Sequence, residues 1–372
     1  MHNESTSRGV GQAAGARRDD RHARPLHSGD GWQAEVLWRA GTVLGDERLA
    51  FARITNVTMG PDGRTYAIDF GNQHIVVLGG DGAFERHIGR HGRGPGEFDG
   101  PLSMAWDHRG RLWVADGWNR RYTVFDTTGT VIKTVPRRIT SMLGWSQLLR
   151  ADSAGLVIDQ MAGRTADGRY AVQFLRVDST GTDVDTLPPL MAEASSAASL
   201  TPVQLVRARQ ALDAARHFQP HWLYGLAPDG TLWIMQSNRL RLTNITLEGD
   251  TLRSIESSHR QPRRGEAELS RIRDELRAAG IDVSAYELGP QIAQSVNVLA
   301  DRHIAVQIES RAGEPGRLFD IFEPDGRYVG ELDLGFAANP DIPWFSRGDT
   351  VVVVERGEAD VNFIVKLVLR RG

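Results

Sequence analysis

Residues 58–82, TMGPDGRTYAIDFGNQHIVVLGGDG, lie over residues 105–129, AWDHRGRLWVADGWNRRYTVFDTTG, at a constant offset of 47. Gly63 falls on Gly110, Arg64 on Arg111, Asp69 on Asp116, Asn72 on Asn119, Val77 on Val124 and Gly82 on Gly129. A repeat of this length constrains the chain strongly, because each copy is one small unit that buries its faces only by stacking on its neighbours. Within a copy, short apolar runs alternate with Gly, Asp and Asn turns, the mark of strands joined in hairpins.

Four strands in 40–50 residues make one blade of a β-propeller. The rest of the chain keeps the turns while losing the identities. First-hairpin turns fall at Asp62-Gly63, Arg109-Gly110, Ser153-Ala154-Gly155, Asp229-Gly230, Asp301-Arg302 and Arg347-Gly348. Second-hairpin turns fall at Asp81-Gly82, Thr128-Gly129, Thr180-Gly181, Glu248-Gly249 and Asp325-Gly326. After the last first-hairpin turn come two runs, Thr350–Glu355 and Val361–Leu369, so one unit lacks its outermost strand. A strand-like segment, Gln33–Ala40, stands unclaimed at the other end. An open strand edge carries unpaired backbone groups and invites aggregation. Pairing Gln33–Ala40 with Val361–Leu369 removes it. The expected fold is all-β: a six-bladed β-propeller over residues 32–372, closed by an N-terminal strand and carrying two helical insertions.

GRGPGEFDGP (residues 92–101) followed by RLWVADGWNRRYTVFD (111–126) resembles the NHL repeat of six-bladed propellers, a bacterial NHL/TolB-like family. That repeat pairs a Gly-Pro-Gly-Glu-Phe opening with a hairpin ending in Asp-x-x-Asn-x-Arg. The resemblance covers residues 54–136 and fades to turn spacing over 140–370. It implies the six-bladed ring and a role as a platform for ligands or partners.

Residues 1–31 are rich in Gly, Ser, Arg and Asp, which reads as a disordered tail. A secretory signal needs an apolar core of about 7–15 residues. Val10–Ala16 is short and interrupted by glycines, so no export signal is expected. Propellers resembling this one are often exported, and a misassigned start codon would place the chain in the periplasm or outside the cell. The hairpin turns are spaced 47, 45, 75, 72 and 46 residues apart, so two intervals carry insertions, about 191–218 and 262–280. In the first, Thr201-Pro202 suits a helix start, followed by Leu205, Ala208, Leu212 and Ala215 at helical spacing. In the second, Leu269, Ile272, Leu276 and Ala279 repeat the pattern, and Gly280 suits the C′ position. Both insertions either pad the blade sides or partly cover one mouth of the channel.

Asp69/Asn72 and Asp116/Asn119/Arg120 are the sharpest repeated polar sets, and their recurrence from copy to copy reads as turn scaffolding. Gly92–Gly96 lacks the Gly-Lys-Ser/Thr of a phosphate loop. Gly144-Trp145-Ser146-Gln147-Leu148 lacks the second glycine of a nucleophile elbow. With no Cys there is no catalytic thiol, disulfide or thiolate metal site.

Propeller enzymes similar in architecture, lactonases of the gluconolactonase type and an amidating lyase, hold a divalent ion at the channel mouth. The corresponding positions here are near Asn56, Ser103, Ser146, His221, Gln294 and Trp344. Only His221 is a strong ligand for a first-row metal, with His91 or His217 as candidate helpers. No cofactor is therefore expected; Ca²⁺, Mn²⁺ or Zn²⁺ belongs to the metal-dependent lactonase or lyase alternative, with His221 as its ligand.

Single-stranded RNA is a second alternative, through Arg90, His91, Arg93, Arg120, Arg121 and Arg164 with Trp118 for stacking. A net charge of −3 argues against it, and 42 of the 44 basic residues are Arg, which reads first as coding bias. No run approaches the ~20 apolar residues of a membrane span. Trp113 and Trp233 hold the same place in their blades and read as core. The leading expectation is a monomeric, non-catalytic platform. Arg90, His91, Arg93, Trp118, Arg164 and His221 would contact a partner protein, peptide or saccharide there.

Overall fold

A computed structural model describes residues 31–137, 149–151, 157–164, 170–178, 180, 182–191, 218–257, 266–285, 288–289, 291–308, 316–358 and 361–372. Strand β1 is Trp32–Ala40. A first antiparallel sheet follows: β2 (Ile54–Met59), β3 (Thr65–Asp69), β4 (His74–Leu78) and β5 (Phe84–Ile88). The second repeats it at the offset of 47 read from the sequence: β6 (Pro101–Trp106), β7 (Leu112–Asp116), β8 (Arg121–Phe125) and β9 (Val131–Pro136). The third holds β10 (Leu149–Ala151), β11 (Val157–Arg164), β12 (Tyr170–Val177) and β13 (Asp183–Thr186). The fourth holds β14 (Trp222–Leu226), β15 (Leu232–Gln236), β16 (Arg241–Ile245) and β17 (Thr251–Glu256).

The remaining strands are β18 (Ala293–Val298), β19 (Ile304–Ile308), β20 (Leu318–Phe322), β21 (Tyr328–Asp333), β22 (Phe345–Arg347), β23 (Thr350–Arg356) and β24 (Asn362–Arg371). They form an eight-stranded sheet ordered β18-β19-β20-β21-β1-β24-β23-β22. Its two halves meet at one parallel bridge, Trp32 to Leu332. β1 pairs antiparallel with β24 from Trp32↔Arg371 to Ala40↔Ile364, with a register shift at Val36/Trp38. This is the pairing expected of the unclaimed Gln33–Ala40 with the last strand, Val361–Leu369.

Buried side chains gather between neighbouring units rather than within one. Tyr66, Ile68 and Val77 of the first sheet pack with Met104, Leu112 and Val114 of the second. Trp113 and Tyr122 pack with Leu149 and Leu175 of the third, and Phe174 with Leu232 and Ile234 of the fourth. Trp38, Val352 and Ile364, from the two ends of the chain, pack with Ile54, Ala67 and Val76 of the first sheet. Trp38 Nε1 also donates to Gly80 O at 2.9 Å. The architecture is propeller-like: four-stranded units stand side by side, and their facing surfaces make the core.

Helix α1 (Glu266–Ala278) lies where the second insertion was expected. Gly280 has φ +75°, and Ile281 N–H donates to Leu276 O, the bond of a Schellman stop. Its apolar stripe, Leu269, Ile272 and Leu276, is buried with Phe218, Ile281 and Leu288 in a separate small core. The helix expected over 201–215 lies outside the described residues, as does the segment 1–30.

His74 and His87, on β4 and β5, stack with ring centroids 3.9 Å apart. Burial lowers both imidazole pKa values; for His74 the neighbouring His87 adds to this, while Asp69 opposes it for both. Below about pH 6.5 the unfolded chain therefore takes up protons that the folded chain resists. Stability is full above that pH and falls as the pH drops through the window just below it. The urea midpoint should decline between pH 7 and 5, and a His74→Gln/His87→Gln variant should show a flatter decline. An equal slope in both proteins would contradict this.

Candidate functional site

Because successive strands run in opposite directions, the β3–β4 and β7–β8 turns, loop 89–100 and the α1 segment share one side of the molecule, here the upper face. The β2–β3 and β6–β7 turns share the lower face. On the upper face, the repeated Asp residues act as scaffold. The buried Asp69 carboxylate accepts from the backbone N–H groups of Ala52, Arg53 and Asn72 and from Asn72 Nδ2. Asp116 does the same for Asp99, Asn119 and the Asn119 amide. Burial raises the Asp116 pKa despite these bonds. The left-handed residues are the next in line, Gln73 (φ +56°) and Arg120 (φ +51°), again one repeat apart.

Loop 89–100 is held from below and within. Phe98 is fully buried beside Phe125. Glu97 accepts from Gly94 N–H and from Arg90, and those two bonds, in that order, hold its carboxyl below the usual range. Arg121 donates to the carbonyls of Arg93, Gly94 and Glu97. Asn119 Nδ2 reaches Gly92 O at 3.0 Å. A loop fastened this way presents its remaining side chains from a fixed base.

Four of the expected site residues gather there. Arg90 is engaged by Glu97 at 2.8 Å. His91 Nε2 and Arg93 Nε stand 3.8 and 3.6 Å from the Asp99 carboxylate, with their side chains 73% and 85% exposed. Trp118 is 65% exposed, its ring resting on Gly100 and edge-on to Phe70 at 5.7 Å. His221 stands apart, beside β14, its Nδ1 3.2 Å from Ser237 Oγ. Arg164 ends β11, and its side chain lies outside the described residues, as does all of His217.

The first strands of successive sheets line two cavities. The upper one, about 180 Å³, is walled by His221, Tyr224, Gln294, Asn297 and Trp344 among others. The lower one, about 370 Å³, is walled by Asn56, Thr58, Trp106, Asp107, Phe345 and Arg347 among others. Arg150 on β10 lines both. Its Nη2 donates to Trp344 O at 3.2 Å, while Trp344 N–H donates to Asn297 Oδ1 at 2.9 Å. Of the channel positions read from the repeat, His221, Gln294 and Trp344 line the upper cavity and Asn56 the lower one. Ser103 is buried on β6, and Ser146 lies outside the described residues. Arg150 was missed, because its strand falls where the repeat has faded to a turn signal. Among the described residues no three His, Asp or Glu side chains stand together in a metal-holding group.

No known protein-family profile matches the chain. An alignment 74 positions long, covering 16% of the chain, is 36% identical to NHL repeat-containing protein 3 of Homo sapiens. It spans 21% of that protein's length. Among solved structures, one from Bacteroides fragilis matches with a TM-score of 0.50 at 11% identity, covering 91% of this chain and 95% of that one. The likeness is to β-propellers and, locally, to NHL repeats. A gluconolactonase from Xanthomonas campestris matches at a TM-score of 0.49 and 11% identity, covering 90% of this chain and 89% of that one. At such identities the likeness speaks for the fold alone, and chemistry has to come from the side chains of this chain.

Proposed function

We propose that the chain forms a six-bladed ring closed by β1 and serves as a non-catalytic binding platform. Its upper face would take a partner protein, a peptide or a saccharide. The observation that supports this most is Trp118, a large indole left mostly exposed on a loop-and-turn base fixed by Asp116, Asn119 and Arg121. Rigid exposed aromatics flanked by Arg are the usual anchors of binding surfaces, since they offer contact area at little cost in side-chain entropy. Arg93 and His91 would add hydrogen bonds to carbonyl or hydroxyl groups, with Arg90, Arg164 and His221 as further contributors.

The test is an array of peptides and glycans probed with the full chain, followed by calorimetry on the strongest hit. Trp118→Ala is expected to weaken binding about 30-fold or more and Arg93→Ala about tenfold, with melting temperatures near wild type. Wild-type affinity in both variants would remove this face from consideration.

A further inference from the structure

The lower cavity is separate from the upper face, and its charge is unbalanced. Two guanidinium groups, Arg150 and Arg347, stand in its wall, 5.6 and 6.0 Å from the centre of the Phe345 ring. Neither makes an ion pair among the described residues. Arg347 donates to two backbone carbonyls, Gly60 O at 2.7 Å and Met59 O at 2.9 Å. Among the described residues Arg150 has the single bond to Trp344 O. The carboxylate in the wall, Asp107, is already saturated: it pairs with Arg111 at 2.7 Å and accepts from Trp113 Nε1 and from backbone N–H groups of Arg109 and Arg111.

Partial burial alone brings the Arg150 pKa down to about 10, the direction expected of a half-buried cation with no anion beside it among the described residues. Such a group costs stability unless something pairs with it. The same wall holds other unmet polar atoms, Thr58 Oγ1, Asn56 Oδ1 and Trp106 Nε1, each buried without a hydrogen-bond partner among the described residues. Val57, Met104 and Pro343 supply apolar surface between them. A volume of about 370 Å³ lies in the range of small-molecule sites.

We propose that this cavity binds a small organic carboxylate, its anionic end gripped by the Arg150 guanidinium and its carbon body lying against the apolar wall. Arg347 strengthens the positive field while remaining fixed to the backbone of the first sheet. The planar fork of Arg150 matches a carboxylate in two parallel hydrogen bonds, which a compact ammonium does not.

The test uses the full chain with benzoate, glutarate and citrate as probes, benzamide as the neutral control, and sulfate and phosphate as inorganic anions. At least one carboxylate should raise the melting temperature saturably and titrate in calorimetry, while benzamide does neither. Arg150→Met should abolish that response, and without ligand it should melt at or above wild type, because a half-buried cation without a counter-ion is gone. Arg150→Lys, which keeps the charge, should bind about tenfold to a hundredfold more weakly. The proposal is overturned if no carboxylate stabilises the protein, or if sulfate and phosphate do so equally well. It is also overturned if Arg150→Lys binds as wild type, or if Arg150→Met unfolds or melts well below wild type, which would make Arg150 a structural residue.

Discussion

A chain lacking residues 1–41 is expected to aggregate or fail to fold, whereas one lacking residues 1–30 should melt with the wild type. The first deletion removes β1 and with it the buried Trp32, Trp38 and Ala40. Losing a buried Trp costs about 3–5 kcal/mol, so two approach the ~5–15 kcal/mol that hold a typical domain together. It also strips β24 of one of its two partners, over eight registered pairs. Val365, Leu367 and Leu369 would then stand beside an unpaired edge, a template for association. The Trp38 contact with Gly80 shows why the effect should spread beyond the last unit, since β1 also fastens it to the first. Size-exclusion chromatography and thermal melting of the two truncations read this out. A folded monomer from the longer deletion would contradict the closing role of β1.

Breaking the ion pair between the second and third sheets should have the next largest effect. Arg137, just past β9, meets Asp159 of β11 at 2.5 Å, with both side chains fully buried. Tyr122 Oη donates to the same carboxylate at 2.7 Å. Burial and the Asp159 charge push the Tyr122 hydroxyl pKa well above its ordinary value. Removing one member leaves a buried charge alone, at a cost of about 3–5 kcal/mol, while replacing both by apolar residues of similar size costs far less. Arg137→Met and Asp159→Leu should each lower the unfolding free energy by that amount, and the double variant should recover much of the loss. Urea denaturation measures all three. Additive losses in the double variant would mean that the two residues act independently.

How far the sequence carried is clearest in the first two sheets. Hairpin glycines, the repeated Asp and Asn, and alternating apolar runs are local signals, and they located β2 through β9 at one offset. The pairing of β1 with β24 was legible for a different reason: the last unit lacked a strand, and one unclaimed segment had the right alternation. Tertiary coincidences were not legible. Arg137 and Asp159 are 22 residues apart, with nothing in their spacing to mark a buried pair. Arg150 reads in sequence as one arginine among 42, and only the meeting of β10 with the Trp344 segment shows it standing between two cavities. Arg90, His91, Arg93 and Trp118 sit inside the strongest motif and so stand out in the sequence, whereas the pairing of Arg90 with Glu97 and Arg93 with Asp99, and the use of Arg121 on backbone carbonyls, emerge only from the fold.

Whether the channel mouth binds or catalyses is tested most directly by the metal content of the purified full chain, measured together with its melting temperature in Ca²⁺, Mn²⁺, Zn²⁺ and chelator. A binding platform built as described should carry no stoichiometric ion and melt at the same temperature in every condition. A resident ion would instead stabilise the fold by about 2.7 kcal/mol at a hundredfold excess over its dissociation constant. One ion per chain, a melting temperature that falls with chelator, and the loss of both in His221→Ala would contradict the binding account and favour a metal-dependent lactonase or lyase.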